Sequence, residues 1–317
     1  MINSNLISIA EAPGKIILTG EHFVVHGSQA LAAAINKNIR ISSSFSSQNT
    51  IKYKNQKISL AKYNIKNDPV YIVRNKTLEY LGEKNTLSIN IESNIPRGSG
   101  LGSSSALCVA TAASVASLFN TKLDRKTLFD LAMYGEKKIH GNPSGIDVAT
   151  SIMGGLVSFR KGYDPKRINL KHNPELIVSI SGKRRKTSNM INKFTNLRNE
   201  KPYSFRSLVD SSNTLTKKTL SALSQKDYLS VGSYFNFFNS SLNYFGLSST
   251  VTDIMIEKCL ELGSYGAKIT GGGGGGSIIA ISPSKYIDVI IDELNKMNFE
   301  TFSVKIPQQG VQVWSIN

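Results

Sequence analysis

The chain has 317 residues, 40% of them hydrophobic and 19% charged, enough for one large domain or two ordinary ones. No run approaches ~18 uninterrupted apolar residues, which excludes a transmembrane helix. The start, MINSNLISIAEAPGK, has no basic n-region and only a short apolar run, so we expect no signal peptide, no membrane partner and a cytoplasmic location. The net charge of +16 is compatible with nucleic acid or with an anionic substrate. The longest basic cluster, Lys183-Arg184-Arg185-Lys186, has no interleaved aromatic residue, so nucleic acid is not expected as a partner.

In chain order, Ile7 to Ile9 and Ile16 to Leu18 read as strands. Between them, Ala12-Pro13-Gly14-Lys15 places a lysine straight after a Pro-Gly turn and at the head of a bulky apolar strand. Such a lysine either snorkels to the surface or reaches an anionic centre, where it steadies charge in a phosphoryl transfer. The alternation from Ile39 to Phe45 and the run Leu87 to Ile91 are further strands.

The central motif is Pro96-Arg97-Gly98-Ser99-Gly100-Leu101-Gly102-Ser103-Ser104-Ser105-Ala106. It follows a strand and opens a small-residue helix from about Ser103 to Phe119. Three alternating glycines let the backbone come close to a ligand. The helix start behind them offers free N–H groups and a positive dipole end, which makes a phosphate cradle. The segment is not a Walker A loop, because no Lys-Ser/Thr pair closes it, and its third glycine comes too early for GxGxxG. A plain helix-capping turn is the structural alternative.

Asp124 can cap a helix running to about Ile139. Leu128, Leu131, Ala132, Gly135 and Ile139 form its apolar face, and Glu136 lies at the margin. A carboxylate there is either a solvated edge residue or a ligand for a divalent metal. In His140-Gly141-Asn142-Pro143-Ser144-Gly145-Ile146-Asp147 the path is tight and non-helical. Asp147 either caps the next helix or orients an acceptor hydroxyl and takes its proton. His140 is read as a structural histidine.

The stretch from Gly154 to Asp164 carries a boundary near residue 165. Beyond it come a strand at Leu176 to Ser181, several helices between about Ser188 and Leu262, and strands at Ala267 to Thr270 and Ser277 to Ile281. A helix from Tyr286 to Met297 and two short strands close the chain. Six glycines, Gly271 to Gly276, join two strand-like flanks. Their ordering entropy makes a linker the weaker alternative to a strand–loop–strand that presents amides to an anion. Cys108 and Cys259 sit in apolar runs, outside any CxxC pair, and read as buried reduced thiols. Strands and helices mix in both halves, which gives two α+β domains, 1–165 and 166–317.

Four of these segments, APGKIILTGEHFVVHG, PRGSGLGSSSA, GEKKIHGNPSGID and KITGGGGGGS, together resemble the GHMP kinase superfamily, in its order and over nearly the whole chain. GEH after APGK, and HGNPSGID, favour its mevalonate-phosphorylating branch over its galactokinase and homoserine kinase branches. The resemblance implies two α+β domains with the active site in the cleft between them, ATP and Mg2+ as cofactors, and mevalonate converted to 5-phosphomevalonate. It leaves a homodimer open. By the same resemblance Asp147 is the catalytic base and Lys15 lies at the substrate and the transferring phosphoryl group. Gly98 to Ser104 are the core of the ATP loop Pro96–Ala106, and Ser104 and Glu136 hold magnesium. Glu21, His22, Thr187, Gly272 and Gly273 line the substrate. The sequence departs from the family pattern at Gly272 (usually alanine), at Ser277 (usually cysteine) and at Arg184-Arg185-Lys186, where a proline-arginine element usually precedes the threonine. Neither of the first two removes a backbone donor, so little effect is expected. The loop between the central motif and Glu136 is shorter than in animal relatives. The alternatives are a phosphomevalonate kinase, a mevalonate 3-kinase, a diphosphomevalonate decarboxylase, or a non-catalytic protein that binds nucleic acid through its charge.

Overall fold

The computed structural model describes residues 6–53, 56–58, 67–182, 199–200, 202–244, 246–271 and 276–316. Strands β1 (Ile7–Thr19), β2 (Ala30–Phe45), β3 (Thr50–Tyr53), β4 (Gln56–Ile58) and β5 (Leu87–Ser93) build a first sheet with β6 (Leu156–Phe159) and β7 (Lys166–Ile168). Helices α1 (Pro69–Leu81), α2 (Ser103–Leu118), α3 (Arg125–His140) and α4 (Ile146–Met153) belong to this half of the chain. β8 (Leu176–Ile180), β9 (Gly266–Thr270), β10 (Ser277–Ile281) and β11 (Glu300–Val304) form a second, antiparallel sheet in the order β11-β8-β10-β9. It is accompanied by α5 (Pro202–Gln225), α6 (Tyr228–Tyr244), α7 (Thr250–Glu261) and α8 (Ser284–Lys296). The last strand, β12 (Gln312–Ile316), returns to the first sheet and pairs antiparallel with Ile7 to Glu11 of β1. No helix of the described residues is long and apolar enough to cross a membrane.

The strand expected at Ile39 to Phe45 begins at Ala30. The run Ala30-Leu31-Ala32-Ala33-Ala34-Ile35 has good helix propensity, yet it is fully buried as strand between β1 and β6. Tertiary pairing outweighs propensity here, and alanine keeps the sheet surface low enough for α4 and α2 to sit close. α2 is composed of small and apolar residues all round and is buried almost throughout, as a helix without a polar face must be. α1 has no clear apolar period, although its start carries an N-terminal signature. Asp68 caps Val70 N and Tyr71 N, and Pro69 takes the first helical position. Asp124 does cap α3, accepting from Thr127 N at 2.8 Å. Ile139, assigned to the buried face of that helix, is exposed, whereas Glu136 is inside. The face turns because Gly135 and Glu136 point at α2, and the last turn runs past it. Both cysteines are free and buried. Burial pushes the Cys259 thiol up to about 12.

α1, α2 and α3 meet at Gly135, where a Cβ would stand 2.4 Å from Val73 Cγ2 and 2.9 Å from Cys108 Sγ. Helix propensity alone favours alanine at such a position. We expect Gly135→Ala to lower stability instead, by about 1–3 kcal/mol, because the overpacking outweighs that gain. A urea titration of the two proteins measures the sign.

Candidate active site

β1 pairs with β2 along its length, and the register slips between Pro13 and Lys15 and again between Ile17 and Thr19. Such irregularities re-aim side chains. Lys15 does not snorkel; it is 3% exposed. Its backbone N–H donates to Leu101 C=O at 2.8 Å and its Nζ to Gly100 C=O at 3.2 Å. Nζ also lies 3.3 Å from Asp147 Oδ2. Two glycines allow this closeness. A Cβ on Gly14 would stand 2.7 Å from the Leu101 carbonyl oxygen, and one on Gly102 2.8 Å from Lys15 Cγ. Asp147 is the second residue of α4, behind Gly145 at φ +92°. It therefore lies in the first turn, where the helix dipole favours an anion. Its side chain is 34% exposed, so the pair has one buried partner and one that solvent or a ligand can reach.

The glycine-rich turn connects β5 to α2. Gly98, Gly100 and Gly102 all take positive φ, at +70°, +76° and +78°. Gly102 is the N-cap of α2, with no side-chain cap bond. The first-turn amides of Ser103, Ser104 and Ser105 are thus not capped by a side chain, which leaves a helix N-terminus able to take an anion. Ser99 ties the turn to itself, donating to Pro96 C=O at 2.7 Å. Leu101 and Ala106 are buried beneath it, and Arg97 is exposed. From α3, Glu136 reaches the same helix start and is 4% exposed. It accepts hydrogen bonds from Ser104 Oγ and, at 2.7 Å, from Ser105 Oγ. Cys108 Sγ lies 3.9 Å from its Oε1; burial, then the charge of Glu136, push that thiol well above its usual range. No ion pair joins Glu136 to a cation among the described residues.

The second sheet closes on this assembly. Thr270, at the end of β9, accepts from Ile17 N–H at 2.9 Å and donates to Ile17 C=O at 3.0 Å. Ser277, at the start of β10, donates to Ser99 C=O at 2.8 Å inside the glycine-rich turn. Lys268 forms a buried ion pair with Glu21. Burial raises the Glu21 carboxyl, partly offset by Lys268, and lowers the Lys268 ammonium, partly offset by Glu21. His22 is half-buried and holds φ +62°. The structure thus brings Lys15, Asp147, Glu136, Ser104 and the turn Pro96–Ala106 around one region, with Glu21 and His22 on the loop that follows β1. Thr187, Gly272 and Gly273 lie outside the described residues.

Residues 69–155 match the family "GHMP kinases N terminal domain", and residues 219–298 match "GHMP kinases C terminal". Among curated proteins, the chain is 29% identical to the mevalonate kinase of Aeropyrum pernix, over 96% of this chain and 97% of that one. It is 32% identical to the mevalonate kinase of Archaeoglobus fulgidus, over 86% and 92%. The crystal structure of the Methanococcus jannaschii mevalonate kinase superposes with a TM-score of 0.82 at 26% identity, covering 94% of this chain and 98% of that one. The chain belongs to the GHMP kinase family. The Aeropyrum and Archaeoglobus relatives, matched over nearly their full length, are mevalonate kinases, and ATP use follows from membership of the family.

The sequence gives no local sign of the roles of Lys268, Thr270 and Ser277, although their segment stands out in it. Lysine in a strand of alternating small residues reads as solvent-facing, and nothing local reveals a carboxylate 247 residues away. Ser277 was noted only as a departure from cysteine, whereas its hydroxyl holds the turn. We expect Gly14→Ala to leave the protein folded and to raise KM for ATP by ~10-fold or more, because the added methyl pushes Leu101 and the turn away from β1. Steady-state kinetics against ATP checks it.

Proposed function

We propose that this chain transfers the γ-phosphoryl group of ATP to the primary hydroxyl of mevalonate, giving 5-phosphomevalonate and ADP. The observation that carries the reading is the Lys15–Asp147 contact at 3.3 Å, held against the glycine-rich turn by the Gly100 and Leu101 carbonyls. The near-full-length likeness to mevalonate kinases supports the choice of acceptor.

In this reading the nucleotide's phosphates lie over Gly98 to Ser104, where first-turn amides and the helix dipole receive them. The donors beside them, the Ser104 hydroxyl and the Glu136 carboxylate, are hard oxygen ligands of the kind Mg2+ prefers. Glu136 is buried among hydroxyls with no cation paired to it among the described residues, which fits a divalent ion completing its environment. When bound, Mg2+ neutralises charge on the phosphate oxygens. Asp147 orients the primary hydroxyl of the acceptor and accepts its proton as the oxygen attacks the γ-phosphorus and the bond to the ADP oxygen breaks. Lys15, fixed by two carbonyls and Asp147, offsets the negative charge that spreads over the transferring group. The chain makes no covalent intermediate in this scheme, and rate comes from positioning and electrostatics. We further propose that the two family segments correspond to domains 1–165 and 166–317, that Glu21, His22, Thr187, Gly272 and Gly273 border the acceptor, and that the enzyme is cytoplasmic.

A coupled assay of ADP release with mevalonate, phosphomevalonate, diphosphomevalonate, galactose and homoserine tests the acceptor; ADP formation confined to another of these would overturn it. We expect Asp147→Asn and Lys15→Met each to lower kcat by ~100-fold or more with the fold intact by circular dichroism. Wild-type turnover in both would remove their roles.

A further inference from the structure

The loop between β1 and β2 is fixed by groups from both halves of the chain. Neighbouring residues enter different cores. Phe23 packs in the second-half cluster with Ile269, Leu242 and Met255, whereas Val24 packs with Ile146, the residue before Asp147. Gly20, at φ +87°, closes the loop so tightly that a Cβ would stand 2.6 Å from the Gln29 carbonyl oxygen. At the far end, Gln29 N–H donates to Asn213 Oδ1 of α5 at 2.7 Å. Between these points Glu21 is buried and accepts from Lys268 of β9. Lys268 also donates to the Ile269 carbonyl at 2.7 Å, which fixes the ammonium's own position. The second oxygen of Glu21, Oε2, is buried with no hydrogen-bond partner among the described residues. Burial raises the Glu21 carboxyl, and the charge of Lys268, then more weakly that of Lys15, works against it.

We infer that Lys268 is a positioning residue for the phosphoryl acceptor. By anchoring Glu21 it sets where His22 and the loop after β1 stand relative to Asp147. The inference rests on the kinase reading above, and on acceptor binding beside Asp147. Thr270, in the same strand as Lys268, is bonded to Ile17 of β1, which makes β9 a rigid base for such an anchor. An unpaired buried carboxylate would instead drag the loop toward water. Only the loop side of the cleft should feel the change, because the glycine-rich turn is held separately, by Lys15 and Ser277.

Two variants separate positioning from mere stability. Lys268→Met leaves Glu21 charged and alone, whereas Glu21→Gln with Lys268→Met removes the lone charge. In full-length protein, the double variant should recover much of the thermal midpoint lost in the single one. Both should keep KM for mevalonate raised by ~10-fold or more, with KM for ATP within ~2-fold of wild type, since displacement by about an ångström is costly at an acceptor site. A double variant with wild-type acceptor KM overturns the inference, as does an ATP KM that rises in step, or loss of the fold in both variants. If the wild-type enzyme releases ADP with a different acceptor, the choice of mevalonate fails but this test does not, since it is then run with that acceptor.

Discussion

The close approach of β1 to the start of α2 is the constraint on which the rest of the site depends. A strand edge and a helix N-terminus touch through Gly14 and Gly102, at separations that no side chain permits. Because they touch, the Lys15 backbone and ammonium can both bond to the turn, and the amine is delivered to Asp147 on a third element, α4. Lysine has four flexible methylenes, and without that channel its burial would have no compensation. Here the Gly100 carbonyl and the Asp147 carboxylate supply it.

Buried charge is handled differently at the site's two edges. Glu136 is surrounded by serine hydroxyls from the first turn of α2, an arrangement that stays polar and open to a cation. Glu21 is met by an ammonium from the other sheet. Breaking a buried pair of that kind costs more than forming it stabilises, so the contact serves better as a register device between two halves than as a source of stability. The threonine and serine bridges, Thr270 to Ile17 and Ser277 to Ser99, act in the same direction at lower electrostatic stakes.

Much of this was legible before any coordinates. Alternating glycines after a strand and a lysine behind Pro-Gly each carry a physical reason to sit near phosphate, and Asp147, after the tight Gly141–Gly145 path, a reason to orient a hydroxyl. Their co-location, however, came from the family resemblance and not from spacing. What sequence could not show is long-range. The alanine run of β2 looks helical because its strand partners lie elsewhere in the chain. Glu136 looked marginal because its burial depends on α2 and not on its own helix. Lys268 was hidden because a buried ammonium is recognisable only once its carboxylate is known. The start of α1, by contrast, is legible in Asp68-Pro69, a capping aspartate followed by a proline at the first helical position.

The pairing of β12 with β1 has a consequence for biosynthesis. The strand that bears Lys15 has one edge satisfied by β2 and the other, from Ile7 to Glu11, satisfied only by residues 312–316. During translation that edge stands bare while the intervening residues emerge, and an unpaired strand edge is a template for unwanted association. Nascent chains of this protein should therefore keep that edge exposed until residues 312–316 have emerged, and truncations that remove β12 should aggregate even when every site residue is present.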